Sequence, residues 1–447
     1  MFKTKRKMPA SRRIMLGFLL IILAGTCLLM LPVSTKTGET TTFSGALLCS
    51  VSATCVTGLV AYDTFSHWTV FGQLILLTEM QIGGLGFITI GTFVMIMFRK
   101  KIGISRRALI QDSLSTLQIK GSVRLVRRIV MGTLFFEGVG ALLLSLRFVP
   151  QMGIAKGIYY GIFHSISAFC NAGFDLMGFR EAYSSFCYYY DDPLVMGTLC
   201  VLIVVGGIGF VVWEDLWTHR FRFKRYQFHT KIVLATTGVL LIGGTLLFYL
   251  LENHALFEGM TFRGKFLAAL FSAVTPRTAG FNSVDTASLT NGSFFLTIIL
   301  MFIGGSPGST AGGVKTVTLL VILLYIKAYL FREKDCYIFH RRISDEVVRK
   351  ASVVIFINLL FAILGMSIVF MAQPELALRD VFFEVFSAIG TAGMSTGVTR
   401  SLNLVSKFVV ICLMFLGRMG SLTFALSFTE RRRVSKIRYP EEDVTIG

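Results

Sequence analysis

Eight apolar runs recur along this chain, at 14–32, 68–98, 125–149, 194–217, 232–251, 294–330, 351–371 and 404–428. Crossing about 30 Å of hydrocarbon takes roughly 20 helical residues, so each run is long enough, or nearly so, to span a bilayer. No water reaches the bilayer core to satisfy open backbone groups, and helices are the form that such runs can take. Of the 447 residues 54% are hydrophobic and 15% charged, which excludes a water-soluble surface. A cleaved secretory signal is the alternative for the first run, because it follows Lys3, Lys5, Arg6, Lys7, Arg12 and Arg13. That run leads into Leu31-Pro32-Val33 instead of a small-residue cleavage site, which favours a retained span.

A net charge of +19 would invite a nucleic-acid reading in a soluble protein, but the distribution of charge argues otherwise. With the N-terminus placed inside, 32 of the 44 Lys and Arg fall in the N-terminal arm, in 99–128, 220–231 and 327–350, and in the C-terminal tail. Basic excess marks cytoplasmic loops. Both termini are therefore expected in the cytoplasm, and the connections 34–67, 150–193, 252–292 and 373–403 outside. The eight cysteines contain no C-x-x-C and the six histidines no H-E-x-x-H, so neither a disulfide framework nor a metal centre is expected. No cluster of His, Asp, Glu or Cys converges on one span, which argues against a membrane enzyme.

The four outward connections end alike. They carry Ser52-Ala53 before Thr57-Gly58, Ser167-Ala168 before Ala172-Gly173, Ser272-Ala273 before Ala279-Gly280, and Ser387-Ala388 before Ala392-Gly393. The four glycines are 115, 107 and 113 residues apart, a period that marks internal duplication. Each following span carries a second landmark: Gly83-Gly84-Leu-Gly86, Gly206-Gly207-Ile-Gly209, Gly304-Gly305-Ser-Pro-Gly308 and Gly417-Arg418-Met-Gly420. Close helix packing explains such glycines locally, but not their near-constant distance from the loop glycines.

Each connection begins with about ten apolar residues, too few to cross, so it reads as a short helix that enters the membrane and stops partway. Irregular backbone at that depth is tolerated where it is surrounded by protein or lines a water-filled cavity. Four such helices around one axis aim their partially negative C-terminal ends at a common point, which favours a cation. Beyond them the chain turns outward through a glycine, which takes positive φ without strain, and its carbonyls can replace the hydration shell of a potassium ion. The candidate cation-binding residues are Thr54, Cys55, Val56, Thr57 and Gly58; Cys170, Asn171, Ala172 and Gly173; Arg277, Thr278, Ala279 and Gly280; and Gly390, Thr391, Ala392 and Gly393. The expected architecture is an all-α polytopic membrane protein: four tandem helix, pore-loop, helix repeats around one central pore. They occupy 14–123, 124–230, 231–348 (interrupted at 304–315) and 349–430, between an arm at 1–13 and a tail at 431–447. Interrupted spans also occur in secondary transporters, but those folds usually repeat twice and inverted. The run at 304–308 lacks the G-K-[ST] ending of a phosphate loop.

With these four loops and four glycine clusters, the chain resembles the Ktr/Trk/HKT superfamily of potassium transporters over its full length, and most closely the bacterial KtrB membrane subunits. In that family the four loop glycines form the selectivity filter, and glycine at the first position, as at Gly58, goes with preference for potassium over sodium. The resemblance implies that Gly304, Gly305, Ser306, Pro307, Gly308, Ser309, Thr310, Ala311, Gly312 and Gly313 form an intramembrane gate loop. Lys315 belongs to the same interrupted segment, and Arg418 stands where the other repeats hold Gly84, Gly207 and Gly305. A charged group at that depth faces the interior or a water cavity, and the reading for Arg418 is hydrogen bonding to loop carbonyls beneath the filter. Pairing with Glu79 is the alternative. The resemblance further implies a homodimer in the bacterial plasma membrane, docked on a KtrA-like cytosolic ring that binds adenine nucleotides; the basic, polar faces 99–128 and 327–350 are expected to dock that ring, with ordinary positive-inside charge as the alternative. Sodium would stimulate transport, no cofactor would be covalently bound, and channel-like passage and symport are both open. Both basic faces are long enough for helical extensions.

Overall fold

The computed structural model describes residues 10–36, 41–98, 122–220, 222–421, 424, 440 and 442. Residues 99–121 of the basic segment, the tail beyond 424 apart from 440 and 442, and the first nine residues lie outside them. The described chain is mostly helical and repeats one motif four times: a long leading helix, a short helix and a trailing helix. The leading helices are Ala10–Leu29, Ser122–Met152, Phe228–Glu252 and Asp345–Ala372. The short ones are Phe43–Thr54, Ile154–Cys170, Phe262–Val274 and Leu378–Gly390. The trailing helices start at Val70, Pro193, Asn291 and Leu404.

Local chemistry sets these starts. Thr69, Asp192, Thr290 and Asn403 each accept a hydrogen bond from a first-turn N–H of their trailing helix, those of Gly72 (3.4 Å), Val195 (3.2 Å), Ser293 (3.4 Å) and Ser406 (2.9 Å). Such caps satisfy amides that have no partner within the helix. Thr42 and Thr261 cap the first and third short helices in the same way.

Burial separates the layers. Leading helices turn apolar side chains outward, as Leu20 (68% exposed), Ile242 (75%) and Phe356 (76%) do, the surface expected against lipid. The short helices are buried on most sides, with Ala46, Ala53, Phe163, Ala168, Phe271, Ala273, Phe383 and Ala388 fully enclosed. Each short helix packs on the leading helix of its own repeat and on the trailing helix of the preceding one, and the fourth trailing helix packs on the first short helix. The repeats therefore close into a ring.

Two features differ from the sequence expectation, the bends of two spans and a hairpin. Two apolar runs read as single spans are bent: Val70–Leu85 turns by 94° into Phe87–Met97, and Pro193–Gly207 by 99° into Phe210–His219. The breaks fall at Gly86 (φ 79°) and Gly209 (φ 101°), where a residue with a Cβ would be strained. The third trailing span divides into Asn291–Phe302 and Thr316–Leu330, as expected for an interrupted helix. Segment 327–350 carries no extra helix in its middle. It holds an antiparallel hairpin, Tyr337–Ile338 against Arg341–Arg342, turned by Phe339 and His340 at φ 49° and 57°.

Candidate functional site

Three short helices end in the same backbone turn, closed over five residues, and the third ends in one closed over four. The N–H groups of Thr57, Ala172 and Ala392 reach back to the carbonyls of Ser52, Ser167 and Ser387, each at 2.8 Å, and that of Ala279 reaches Thr275 at 2.9 Å. Side chains tie down the chain beyond the first three turns: Ser52 Oγ accepts from Gly58 N (3.0 Å), Ser167 Oγ donates to Phe174 O (2.7 Å), and Thr275 Oγ1 donates to Phe281 O (2.6 Å). The third loop's counterpart of Ser52 is thus Thr275 and not Ser272, which corrects the register taken from the shared Ser-Ala pairs. The extra residues of that loop lie in its turn: helix Phe262–Val274 ends six residues before Gly280, whereas the other short helices end three or four residues before their glycines.

Two residues per loop have positive φ. The glycines do, at 100°, 74°, 81° and 81° for Gly58, Gly173, Gly280 and Gly393, and so do Val56 (50°), Asn171 (57°), Thr278 (75°) and Thr391 (50°) two positions earlier. For β-branched Val56, Thr278 and Thr391 this conformation is strained, and such strain persists where surrounding bonds impose it and gathers at functional sites. Asn171, with its Oδ1 accepting from Thr278 Oγ1 (3.1 Å) and its amide donating to Ala168 O (3.0 Å), links the second loop to the third.

The glycines themselves meet in a closed ring. A Cβ built on Gly58 would lie 3.0 Å from Ala172 O, one on Gly173 2.8 Å from Ala279 O, one on Gly280 3.1 Å from Ala392 O, and one on Gly393 1.9 Å from Thr57 O. Every repeat thus places its glycine against the carbonyl of the residue before the next repeat's glycine. The candidates Thr54, Cys55, Cys170 and Gly390 lie at the short-helix ends below this ring, all buried. Arg277 stands three residues before Gly280; its side chain is 6% exposed and its Nε has no hydrogen-bond partner among the described residues.

On one side of the ring lies segment 304–313. Helix breaks leave backbone carbonyls without intrahelical partners, and this segment uses them. Ser306 N donates to Gly207 O (2.9 Å), Thr310 N to Gly206 O (3.2 Å), and Gly313 N to Gly417 O (3.3 Å), while Gly308 O accepts from Phe210 N (2.8 Å). Gly304 and Gly305 pair with Val314 and Thr316 across the base of the loop. Lys315 Nζ donates to Ala311 O (2.8 Å) and Gly312 O (3.1 Å), closing the loop on itself. Space decides the small residues: a Cβ on Gly312 would come within 2.2 Å of Thr391 Oγ1, and one on Gly209 within 2.7 Å of Pro307 O. Ser309 Oγ donates to Ser306 O (2.7 Å). Arg418 spans the gap, donating to Thr310 O in the loop and to Gly83 O and Gly84 O (3.0 Å) at the first helix break. Its described partners are all carbonyls, so pairing with Glu79 is not what holds it.

On the other side of the ring opens a cavity of about 140 Å³, which sequence reasoning missed. Asp63, Asp175 and Asp285 line it from the first three repeats and Arg400 from the fourth, stacked 4.2 Å over the Tyr183 ring. Burial pushes the Asp175 carboxyl up to about 7 against a hydrogen bond from the Met177 N–H that lowers it, and the nearby Asp63 adds to the push. The signal was available, because Asp63 and Asp285 each stand five residues past their loop glycine.

The profile of the TrkH family, described as cation transport proteins, matches residues 4–436. The chain belongs to the TrkH family of cation transport proteins. It is therefore a multi-pass membrane transporter and not an enzyme. It is 40% identical over 434 residues to the Ktr system potassium uptake protein B of Bacillus subtilis, covering 97% of this chain and 95% of that one. It is 37% identical to the potassium/sodium uptake protein NtpJ of Enterococcus hirae, covering 100% of this chain and 99% of that one. Among solved structures, that of the potassium transporter TrkH from Vibrio parahaemolyticus covers 96% of this chain and 87% of its own at 17% identity, with a TM-score of 0.75. That likeness is one of TrkH fold.

Proposed function

We propose that this chain takes up potassium across the plasma membrane, selecting the ion in the ring of Gly58, Gly173, Gly280 and Gly393. The single observation that carries the reading is the closed ring of four positive-φ glycines, each against the neighbouring repeat's carbonyl. Carbonyl oxygens from four sides replace a potassium ion's hydration shell without any side-chain charge. The curated relatives named as potassium uptake proteins support the choice of ion.

In this reading segment 304–313 is the gate. It lies directly beneath the fourth loop, touching Thr391, and Arg418 and Lys315 hold it there. Positive charge under the ring raises the barrier to a cation, and releasing the loop lowers it. The name of the relatives, a Ktr system protein B, supports a membrane subunit that works with a separate regulator. We assign this chain a homodimeric state and a KtrA-like nucleotide-binding ring on the basic face, which includes the hairpin at 337–342, with both termini on that side. Sodium acts as an activator and not as a resident cofactor.

The test is potassium-dependent growth and radioactive rubidium uptake in cells lacking their own uptake systems, with and without a co-expressed regulatory subunit. Uptake that needs the chain and rises with the subunit is the expected result. No uptake in either condition, with membrane expression verified, overturns the function. Cross-linking from Glu346, exposed on the regulator face, tests the docking assignment. Absence of any cross-link to a co-purified subunit would reassign that face.

A further inference from the structure

The first trailing helix departs from its three counterparts at two positions, one buried and one half-buried. Four residues before the landmark glycines Gly83, Gly206, Gly304 and Gly417 stand Glu79, Leu202, Leu300 and Leu413. Two residues before them stand Gln81, Val204, Phe302 and Phe415. Three repeats thus fill these places with apolar side chains, and the first puts there a buried carboxyl and a half-buried amide, a costly choice within a membrane that marks function.

Where those groups go is specific. Residues two apart on a helix point about 200° apart around its axis, and helix Val70–Leu85 lies between the first and second short helices. Glu79 faces the first: its Oε1 accepts from Ser50 Oγ (2.5 Å) and Thr54 Oγ1 (3.4 Å). Gln81 faces the second: its Oε1 accepts from Cys170 Sγ (3.4 Å), while its Nε2 donates to Glu137 Oε2 (3.2 Å) on the second leading helix. Glu79 is 4% exposed, and the first leading helix is closed over it, since a Cβ on Gly25 would come within 1.7 Å of Oε1. A group so enclosed touches neither lipid nor a passing ion. What it touches is the base of a pore loop: Thr54 and Cys170 lie four and three residues before Gly58 and Gly173.

We infer that Glu79 and Gln81, with Glu137 behind, are positioning residues that brace the first two filter loops from one helix and thereby set discrimination between potassium and sodium. The inference rests on the ring being the filter. A filter loosened by a fraction of an ångström still conducts but ranks ions differently. Hydrogen bonds hold an oxygen to tighter geometry than apolar contacts do, which is what the polar pair adds over leucine and valine.

The experiment measures, in uptake-deficient cells expressing the full chain, how much sodium halves rubidium uptake, alongside the thermal stability of the purified protein. Glu79→Leu installs the side chain of the other repeats, and Glu79→Gln keeps the accepting Oε1. Expected is a protein at least as stable with Glu79→Leu but about tenfold more sensitive to sodium, with Glu79→Gln near wild type and Gln81→Leu intermediate. Unchanged sodium sensitivity in a folded Glu79→Leu protein overturns the inference. Gly58→Ser runs in parallel: if it shifts sodium sensitivity while Glu79→Leu does not, the brace fails and the filter stands, and if it too has no effect the filter reading itself fails. Should Glu79→Leu not fold, Ser50→Ala removes the same hydrogen bond from the opposite side, and unaltered selectivity there overturns the inference equally.

Discussion

The glycine ring and the segment beneath it are made from the same four repeats by opposite rules. At the ring every repeat contributes the same parts: a positive-φ residue, then one whose carbonyl faces the neighbour, then glycine. One level below, the third repeat alone supplies a loop and the fourth alone an arginine, while the first two offer only the bare carbonyls of their broken helices. Surrounding a spherical ion demands equivalence from all sides. In the proposed reading, obstructing its path needs one object and anchors to hold it. Duplication provides the first, and divergence of single repeats the second.

The largest effect should come from breaking the equivalence. Gly393→Ala places a Cβ 1.9 Å from Thr57 O at a φ of 81°, a clash with backbone that cannot move without opening the ring. Rubidium uptake should fall at least about 100-fold, the rate equivalent of roughly 3 kcal/mol. Gly138→Ala, where a Cβ meets nothing within 4 Å, should leave uptake as it is. Gly58→Ser is milder: at φ 100° the serine is strained by about 1–3 kcal/mol, but its nearest neighbour would be 3.0 Å away. Expected is a conducting protein whose preference for potassium over sodium drops about tenfold, read from competition by sodium.

Breaking the asymmetric level should raise flux and spare selectivity. Arg418→Ala removes charge-assisted hydrogen bonds to three carbonyls, contacts of about 1.5–3 kcal/mol each. Uptake should increase roughly fivefold to tenfold, with Arg418→Lys between, since lysine keeps charge but not the planar fork. A drop in uptake by folded Arg418→Ala would make the arginine a structural tie. Deleting part of 304–313 should act in the same direction.

The smallest effect belongs to the mouth. Asp175 titrates near pH 7, so it is ionised and attracts cations above that value and is neutral below it. At low external potassium, uptake should fall about twofold to threefold from pH 8 to pH 6, the scale of one charge near solvent, and Asp175→Asn should abolish that step while holding the acid rate. Because this carboxyl's pKa is raised, its contribution to folding stability is fully present below the ordinary value of 3.8 and is lost as pH climbs through 7.

The four-repeat plan was readable because duplication left landmarks at fixed distances, and the caps Thr69, Asp192, Thr290 and Asn403 follow ordinary local rules. Other parts were not. The left-handed turns at Val56, Thr278 and Thr391 contradict the preferences of β-branched residues and are imposed by the ties from Thr57, Ala279 and Ala392 back to the short helices. The bends at Gly86 and Gly209 were hidden because apolar residues continue on both sides of them. Thr275 displaced Ser272 because the third loop's longer turn moves its glycine away from the Ser-Ala pair, so that the hydroxyl within reach of Phe281 O is that of Thr275. The contacts of Arg418 with the loop were legible from a lone charge in an apolar span. Those of Glu79 were not, because a carboxyl far from the loops in sequence gives no sign of which neighbour it faces. Gln111, a further candidate on the regulator face, lies outside the described residues.

The anchorage of segment 304–313 also has a thermal consequence. Freeing it breaks backbone bonds at Ser306, Thr310 and Gly313 together with those of Arg418. Each is worth only about 1 kcal/mol net but about 4–6 kcal/mol before water takes its place. Opening is therefore costly in enthalpy and repaid in entropy. Uptake by the intact chain should steepen on warming far more than that of a loop-deleted chain, whose temperature coefficient should approach that of diffusion through water.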